Sequence, residues 1–133
     1  MPTTLRAHAL NLGGLGESPL QIGNRQAAMD FTFGEHTIAK GTYIHTSIAG
    51  ANRDPSIFLD PHKFDIERKN NKHIAFITGF HVCLGATLAR MKGKIALGKL
   101  LTRFPKTQRD GDAERLPLAR FRGFTRLPVR LNQ

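Results

Sequence analysis

The segment from Leu84 to Phe104 is the only part of the sequence whose pattern predicts a long helix, and it limits the possible folds more than any other feature. The segment contains no proline, and Pro105 ends it. Its large apolar side chains form two stripes, one of Leu84, Leu88, Met91 and Ile95 and one of Leu97, Leu100, Leu101 and Phe104. A helix that is apolar on two sides is normally buried between neighbouring elements, so this helix should lie within a larger assembly.

The region before this helix alternates short apolar groups with turn residues. Residues 31–33 and 37–39 flank Gly34-Glu35-His36, and this arrangement predicts a β-hairpin. Thr42 to Ile48 is rich in β-branched residues and predicts a further strand. Residues 1–18 are weakly patterned, and their glycines at 13, 14 and 16 suggest a loop. We therefore expect two parts, an N-terminal segment (1–18) and a patterned region (19–133).

Prolines interrupt regular structure in the middle and at the end of the chain. Asp54-Pro55 and Asp60-Pro61 predict breaks, because a residue before proline disfavours the helical conformation. Residues 50–75 should therefore be mostly irregular. The prolines at 117 and 128 restrict residues 116–118 and 127–129 to edge strands. The sequence thus predicts an α+β fold with one dominant helix and small antiparallel sheets.

The length and composition are those of one ordinary folded domain. The chain has 133 residues, of which 40% are hydrophobic. No apolar run approaches the roughly 20 residues that cross a bilayer, and the first residues lack the apolar core of a signal peptide. A single cysteine excludes an internal disulfide. We expect no membrane partner and a cytoplasmic location.

The positive charge is concentrated after Gly85. Up to that residue the chain has eight Lys and Arg against seven Asp and Glu, and after it twelve against three. Such a basic end attracts an acidic protein, nucleic acid or an anionic surface, or is a solvated surface with no single partner. Apart from Phe121 and Phe124, which stand among arginines, the basic residues are not interleaved with aromatic ones. They match no nucleic-acid motif, so we expect no nucleic-acid partner.

The single cysteine, Cys83, lies in a pattern that suits a thiolate. It follows His81 by two residues, stands between Gly79 and Gly85, and directly precedes the predicted helix. Free N–H groups and the positive end of the helix dipole favour an anionic sulfur there, and the glycines allow tight turns and close approach of a flat ligand. A cysteine can also pack as a small apolar residue. A zinc site is a weaker alternative, because the histidines show no paired metal-ligand spacing with Cys83.

The spacing Phe-x-x-Gly-x-His-x-Cys-x-Gly over residues 76–85 resembles the haem-binding loop of the cytochrome P450 family in its soluble bacterial form. Residues 86–90 resemble the start of the helix that follows the ligand cysteine. Residues 51–65 resemble the irregular meander, and residues 38–42 resemble the short sheet before it. The resemblance implies the C-terminal part of the P450 fold, with one long helix after the cysteine loop, small antiparallel sheets and a long irregular meander.

This resemblance implies a role for each matching residue. Cys83 takes the place of the axial thiolate ligand of the iron in haem b (iron protoporphyrin IX), and no catalytic residue is assigned. His81 and Arg25 take the places of haem-propionate contacts. Phe76 matches the aromatic residue that shields the sulfur, and Gly79 and Gly85 match the two glycines of the loop. The resemblance also implies an acidic ferredoxin-type electron donor, which would meet Lys92, Lys99 and Arg103 behind the haem.

The sequence also departs from the family pattern. The Glu-x-x-Arg pair expected before Glu17 is absent, as are the long distal helix and the substrate domain. Ile77 and Phe80 are larger than the residues usual at their positions, and overpacking typically costs about 1–3 kcal/mol. Further departures are Ala39, Leu59 and Lys92. We expect a truncated relative that is not a competent monooxygenase alone, that lacks haem or binds it weakly, and that self-associates through exposed apolar surface. The alternative is a non-catalytic remnant or a basic interaction module without stable haem.

Overall fold

The computed structural model describes residues 18–65, 67–69 and 71–132. Within these ranges eight short strands form four two-stranded sheets. One long helix follows the first four strands and a long irregular stretch. The strands are β1 (Ile22–Gln26), β2 (Phe31–Phe33), β3 (His36–Ile38), β4 (Tyr43–Ser47), β5 (Gln108–Arg109), β6 (Glu114–Arg115), β7 (Phe124–Arg126) and β8 (Val129–Arg130). The helices are α1 (Ile48–Ala51), a 3-10 turn (Gly79–His81) and α2 (Ala86–Arg103). The predicted α+β class is confirmed.

The first sheet pairs β1 with β4 in antiparallel register, from Ile22 opposite Ser47 to Gln26 opposite Tyr43. The strands approach closely at Gly23, where an added Cβ would lie 2.6 Å from Thr46 Oγ1. Glycine is therefore required at this position by the partner side chain. The predicted strand from Thr42 to Ile48 is β4, shortened by one residue at each end.

The predicted hairpin is formed by β2 and β3, with Phe33 paired to His36 across a two-residue loop. Gly34 has a φ of 59°, in the left-handed region that glycine enters without steric cost. A glycine at the first loop position is typical of a type II′ turn, whose twist matches that of the two strands. The hairpin thus forms where the sequence predicts it.

The C-terminal strands return to the beginning of the described chain. β5 pairs with β8 and β6 pairs with β7, and Leu20 forms an isolated bridge with Phe121. Gln21 donates its backbone N–H to Arg120 O at 2.9 Å, and Arg122 donates to Pro19 O at 2.8 Å. The predicted strand at residues 116–118 is wrong, since β6 ends at Arg115, and of the segment predicted at residues 127–129 only Val129 lies in a strand, β8. Pro117 and Pro128 have no N–H to donate to a strand partner.

The irregular stretch begins at the end of α1. Ser47 caps this short helix by accepting the Gly50 N–H at 3.0 Å. The described residues between 52 and 78 then form turns and bends without a strand or helix. Arg68 organises part of them, since its guanidinium donates to the carbonyls of Leu59, Asp60 and Lys63. The predicted meander is therefore present.

The long helix α2 is the predicted one, starting at Ala86 after Gly85 as N-cap. Only Ala86 and Gly98 are buried in it, and its large apolar side chains remain accessible. Met91 is 52% exposed and Ile95 is 51% exposed. The helix makes little contact with the strands or with α1. The described chain leaves the first stripe exposed and partly covers the second, in which Leu100, Leu101 and Phe104 are half-buried. No described helix is long and apolar enough to cross a membrane.

The buried interior is correspondingly small. The buried apolar side chains in the described part of the chain are Ala27, Ile48, Phe58 and Ala86. Two polar side chains, Ser18 and Asn52, are fully buried with them. The expected exposed apolar surface is therefore present. Residues 1–17, and with them the expected division at residue 18, lie outside the described residues.

We predict that the chain self-associates through α2, because burial of exposed apolar surface on a second copy is favourable. Sedimentation of the purified chain should show species larger than the monomer, together with binding of a hydrophobic dye. The pair of substitutions Leu88→Lys and Ile95→Lys should shift the distribution towards monomer. Phe33→Lys, in the hairpin and also exposed, is the matched control. An equal shift with the control would contradict the assignment to α2.

Candidate functional site

The segment Phe76–Gly85, here the cysteine loop, is closed by a backbone hydrogen bond from Cys83 N to Phe76 O at 2.9 Å. Inside it, Val82 N donates to Gly79 O at 3.1 Å and forms the 3-10 turn. The helix follows at once, because Ala86 N donates to Cys83 O at 3.1 Å. Both backbone groups of Cys83 are thus engaged, and they fix the residue between the loop and α2.

Two residues of the cysteine loop have left-handed backbones. Gly79 has a φ of 67° and Ile77 a φ of 59°. Glycine accepts this conformation, whereas a β-branched side chain there is a strained outlier. Ile77 is larger than the residue that is usual at this position of the family pattern. The structure adds the physical reason, which is the backbone conformation of that position.

The sulfur of Cys83 lies on an open, apolar surface. Cys83 is exposed, and an added Cβ at Gly85 would lie 3.8 Å from its Sγ, in ordinary contact. Gly85 has a φ of −80°, which any residue adopts, so its contribution is the free space beside the sulfur rather than the backbone angle. Phe80 and Leu84 are fully exposed on either side of Cys83. A flat apolar ligand could therefore reach the thiol from outside the chain.

The ring of Phe76 lies between two cationic or titratable side chains. The guanidinium carbon of Arg90 lies 4.6 Å from the ring centroid, in a cation–π contact. The His73 ring lies 6.3 Å away on centroids, tilted by 45°. Arg90 thus links the first turns of α2 to the start of the cysteine loop. The sequence did not single out His73 or Arg90 for this role, because the contact is tertiary.

His73 is held in its neutral form by its surroundings. Its pKa is lowered from 6.5, first by desolvation in its half-buried position and then by the positive charge of Arg90. Its Nδ1 also accepts the Ala75 N–H at 3.2 Å, which requires that nitrogen to be unprotonated. The residues directly before the cysteine loop are therefore arranged around a neutral imidazole.

The two predicted propionate contacts lie on different elements. His81 is exposed in the 3-10 turn of the cysteine loop. Arg25 lies on β1, opposite Ile44, and its guanidinium donates to the Asn24 carbonyl at 2.8 Å. Phe76, Gly79, His81, Cys83 and Gly85 thus share one loop, and Arg25 belongs to the first sheet.

Asn52 is the residue whose importance the sequence did not indicate. It is fully buried, and its side chain connects Ser18 with the N–H of Ile74, just before the cysteine loop. The sequence marked it only as part of the meander resemblance. A buried polar residue cannot be told from an exposed one by composition, so no local signal was available.

Comparison with known sequences identifies the family. A sequence model described as cytochrome P450 matches residues 18–132. The putative cytochrome P450 140 of Mycobacterium bovis is 43% identical over 116 residues, which are 86% of this chain and 26% of that protein. The biotin biosynthesis cytochrome P450 of Bacillus subtilis is 43% identical over 114 residues, which are 85% of this chain and 29% of that protein.

Solved structures agree with this result. The crystal structure of P450BioI with an acyl carrier protein carrying hexadec-9Z-enoic acid matches with a TM-score of 0.93 and 38% identity, over 98% of this chain and 34% of that one. CYP109E1 of Bacillus megaterium, in complex with testosterone, matches with a TM-score of 0.93 and 31% identity, over 97% and 36%. The chain belongs to the cytochrome P450 family, and it spans from 26% to 36% of the length of these relatives.

The family implies a haem cofactor, and the cysteine loop fits one. An exposed thiol flanked by exposed apolar side chains is the donor and surface that a haem face requires. Among the described residues no group of three or more His, Cys, Asp or Glu side chains could hold a metal ion. Cys83 is the side chain of this loop that could supply a thiolate ligand.

We predict that Ile77→Gly stabilises the chain by about 1 kcal/mol, because the strain of the left-handed backbone is removed. Urea unfolding followed by circular dichroism measures the change. The control is Ile57→Gly, at an exposed position without a positive φ, where glycine should lower stability. Destabilisation of similar size by both substitutions would contradict strain at Ile77.

We predict that the free energy of unfolding decreases as the pH is lowered through the ordinary pKa of histidine. Since the pKa of His73 is lowered, the unfolded chain binds a proton more readily than the folded one. The contribution is fully present above pH 6.5 and is lost as pH falls below this value. Urea unfolding at about pH 7.5 and about pH 5 should show a smaller difference in His73→Gln than in wild type. Exposed His62→Gln should keep the wild-type difference, and an unchanged difference in His73→Gln would refute the assignment.

Proposed function

We propose that the chain is the haem-ligating segment of a cytochrome P450 monooxygenase and that Cys83 is its axial thiolate ligand. The exposed Cys83 thiol, fixed by backbone hydrogen bonds to Phe76 and Ala86, is the observation that supports this most strongly. A ligand cysteine needs a fixed backbone and open access, and the backbone hydrogen bonds and exposure of Cys83 are consistent with both. When bound, the haem supplies the oxygen chemistry of a monooxygenase, to which a thiolate ligand contributes electron density.

The other loop residues have distinct supporting roles in this proposal. His81, exposed in the 3-10 turn, donates to a haem propionate, and Arg25 pairs with a second propionate from the first sheet. Phe76, fixed by Arg90, keeps water from the sulfur. Gly79 permits the left-handed turn, and Gly85 leaves space beside the sulfur for the macrocycle. We assign no catalytic residue to this chain.

The electron donor is proposed to be an acidic ferredoxin-type protein. P450s receive electrons from separate redox proteins such as ferredoxins. In this chain Lys94, Lys99 and Arg103 line a groove along α2 with an apolar floor of Met91 and Ile95. Lys92 is exposed on the same helix. An acidic partner complements this surface electrostatically, and the interaction should weaken with added salt.

A reducing compartment suits the proposed role. Cys83 is the only cysteine of the sequence and must remain a free thiol to bind iron. Exposed thiols oxidise readily outside the cell, whereas the cytoplasm keeps them reduced. We therefore propose a cytoplasmic location. We also propose haem b as the cofactor, as the resemblance to the family implies.

A second candidate function is an interaction module that binds no stable haem. The small buried core and the exposed apolar side chains of α2, as the described residues show them, favour it. In that case the basic groove of α2 would be the functional surface. In either case we propose that the chain by itself does not turn over substrate.

We predict that reduced protein with added haem and carbon monoxide gives a thiolate-ligated difference spectrum. Cys83→Ala should abolish that spectrum, and Cys83→His should convert it to a nitrogen-ligated one, because the axial atom sets the spectrum. His81→Ala should weaken haem binding by roughly tenfold or more through loss of a hydrogen bond to a charged group.

The matched control is His62→Ala, which removes an exposed histidine from the meander and should leave haem affinity unchanged. Equal spectra and affinities for wild type and Cys83→Ala would show that Cys83 does not ligate the iron. A wild type that takes up no haem would favour the interaction module.

A further inference from the structure

Asn52 uses both ends of its side-chain amide inside the protein. The residue is fully buried. Its Nδ2 donates to Ser18 Oγ at 2.7 Å, and its Oδ1 accepts the Ile74 N–H at 2.8 Å. Its backbone N–H donates to Ile48 O at 3.0 Å at the end of α1. Asn52 therefore joins the beginning of the described chain, α1 and the segment that enters the cysteine loop.

Hydrogen bonds and the short backbone segment 74–76 together connect Asn52 to Cys83. Ile74, whose N–H is bound by Asn52, accepts the Ile77 N–H on its carbonyl at 2.7 Å. Between these two residues, Phe76 accepts the Cys83 N–H at 2.9 Å. The two bonds fix a turn whose first residue is held by Asn52 and whose carbonyl at Phe76 holds Cys83. The backbone of Cys83 is thus held by a turn that begins at Ile74.

The side chain at position 52 must accept the Ile74 N–H, and a second group that donates to Ser18 Oγ is favourable as well. Ile74 has a partly buried N–H, and a buried donor without a partner is costly. Asparagine supplies both groups. Aspartate keeps the acceptor for Ile74, and the Ser18 hydroxyl can turn to donate to it. Leucine has nearly the same volume and supplies neither group.

We propose that Asn52 is a positioning residue for Cys83: by binding the Ile74 N–H, its side-chain carbonyl fixes the cysteine loop so that the thiol is directed towards the haem iron. The inference rests on the proposed function in that Cys83 is the ligand. The position of the loop, however, is measurable without haem. Asn52 itself touches neither haem nor the sulfur in this proposal.

The experiment compares Asn52→Leu and Asn52→Asp in the full chain with Thr46→Val. The control loses a side-chain hydrogen bond, from Thr46 Oγ1 to Gly23 O, in the first sheet and away from the cysteine loop. The first readout is hydrogen exchange of the Cys83 amide by NMR. The second is the fraction of bound haem with the thiolate spectrum. Asn52→Leu should speed exchange of this amide by about tenfold or more and lower the thiolate fraction. Asn52→Asp, which keeps the acceptor, should change both less than Asn52→Leu, and Thr46→Val should change neither.

A wild-type thiolate fraction in Asn52→Leu, or equal losses in Asn52→Leu and Thr46→Val, would overturn the inference. If Asn52→Leu does not fold, wild-type exchange decides: Ile74 must be at least as protected as Cys83, and an unprotected Ile74 beside a protected Cys83 overturns the inference. If wild type binds no haem through sulfur, the proposed function fails. The exchange rates of Cys83 still test the role of Asn52 in that case.

Discussion

The buried Asn52 connects three separate segments of the described chain through its hydrogen bonds to Ser18, Ile48 and Ile74. With Ala27, Ile48, Phe58 and Ala86 as the buried apolar side chains described, the hydrophobic contribution to the fold is small. The two side-chain hydrogen bonds of Asn52 join segments far apart in the sequence, 34 residues to Ser18 and 22 to Ile74. Without them the donor at Ile74 would be buried and unpaired, and the cysteine loop would lose its connection to α1.

The local elements could be predicted from the sequence because their causes are local. The hairpin follows from Gly34 between two apolar pairs, and α2 follows from a proline-free stretch that begins after Gly85. The environment of α2 could not be derived in the same way. Periodicity shows which faces of a helix are apolar, but it does not show what covers them. Within the described chain Met91 and Ile95 remain uncovered.

The candidate site likewise has a part that the sequence predicts and a part that depends on tertiary contacts. Spacing alone locates Cys83, His81 and the two glycines, since the loop is continuous in sequence. Spacing does not reveal that Arg90 lies over Phe76, nor that burial and Arg90 keep His73 neutral. The departure at Ile77 was visible as a bulky residue. Its cost comes from a left-handed backbone, and a backbone angle is a consequence of the folded loop rather than of the residue type.

The departures at Ile77 and Phe80 have different physical consequences. Ile77 bears its cost within the loop, because its backbone angle is set by the hydrogen bonds that hold Cys83. Phe80 is fully exposed, so it displaces nothing in the described chain, and any overpacking must fall on the ligand that covers it. Backbone hydrogen bonds determine the conformation of the loop, while exposed side chains such as Phe80 and Leu84 form its outer surface. The position of the Cys83 backbone and the fit of the proposed haem face are therefore separable properties, and a substitution can alter the second while the first is retained.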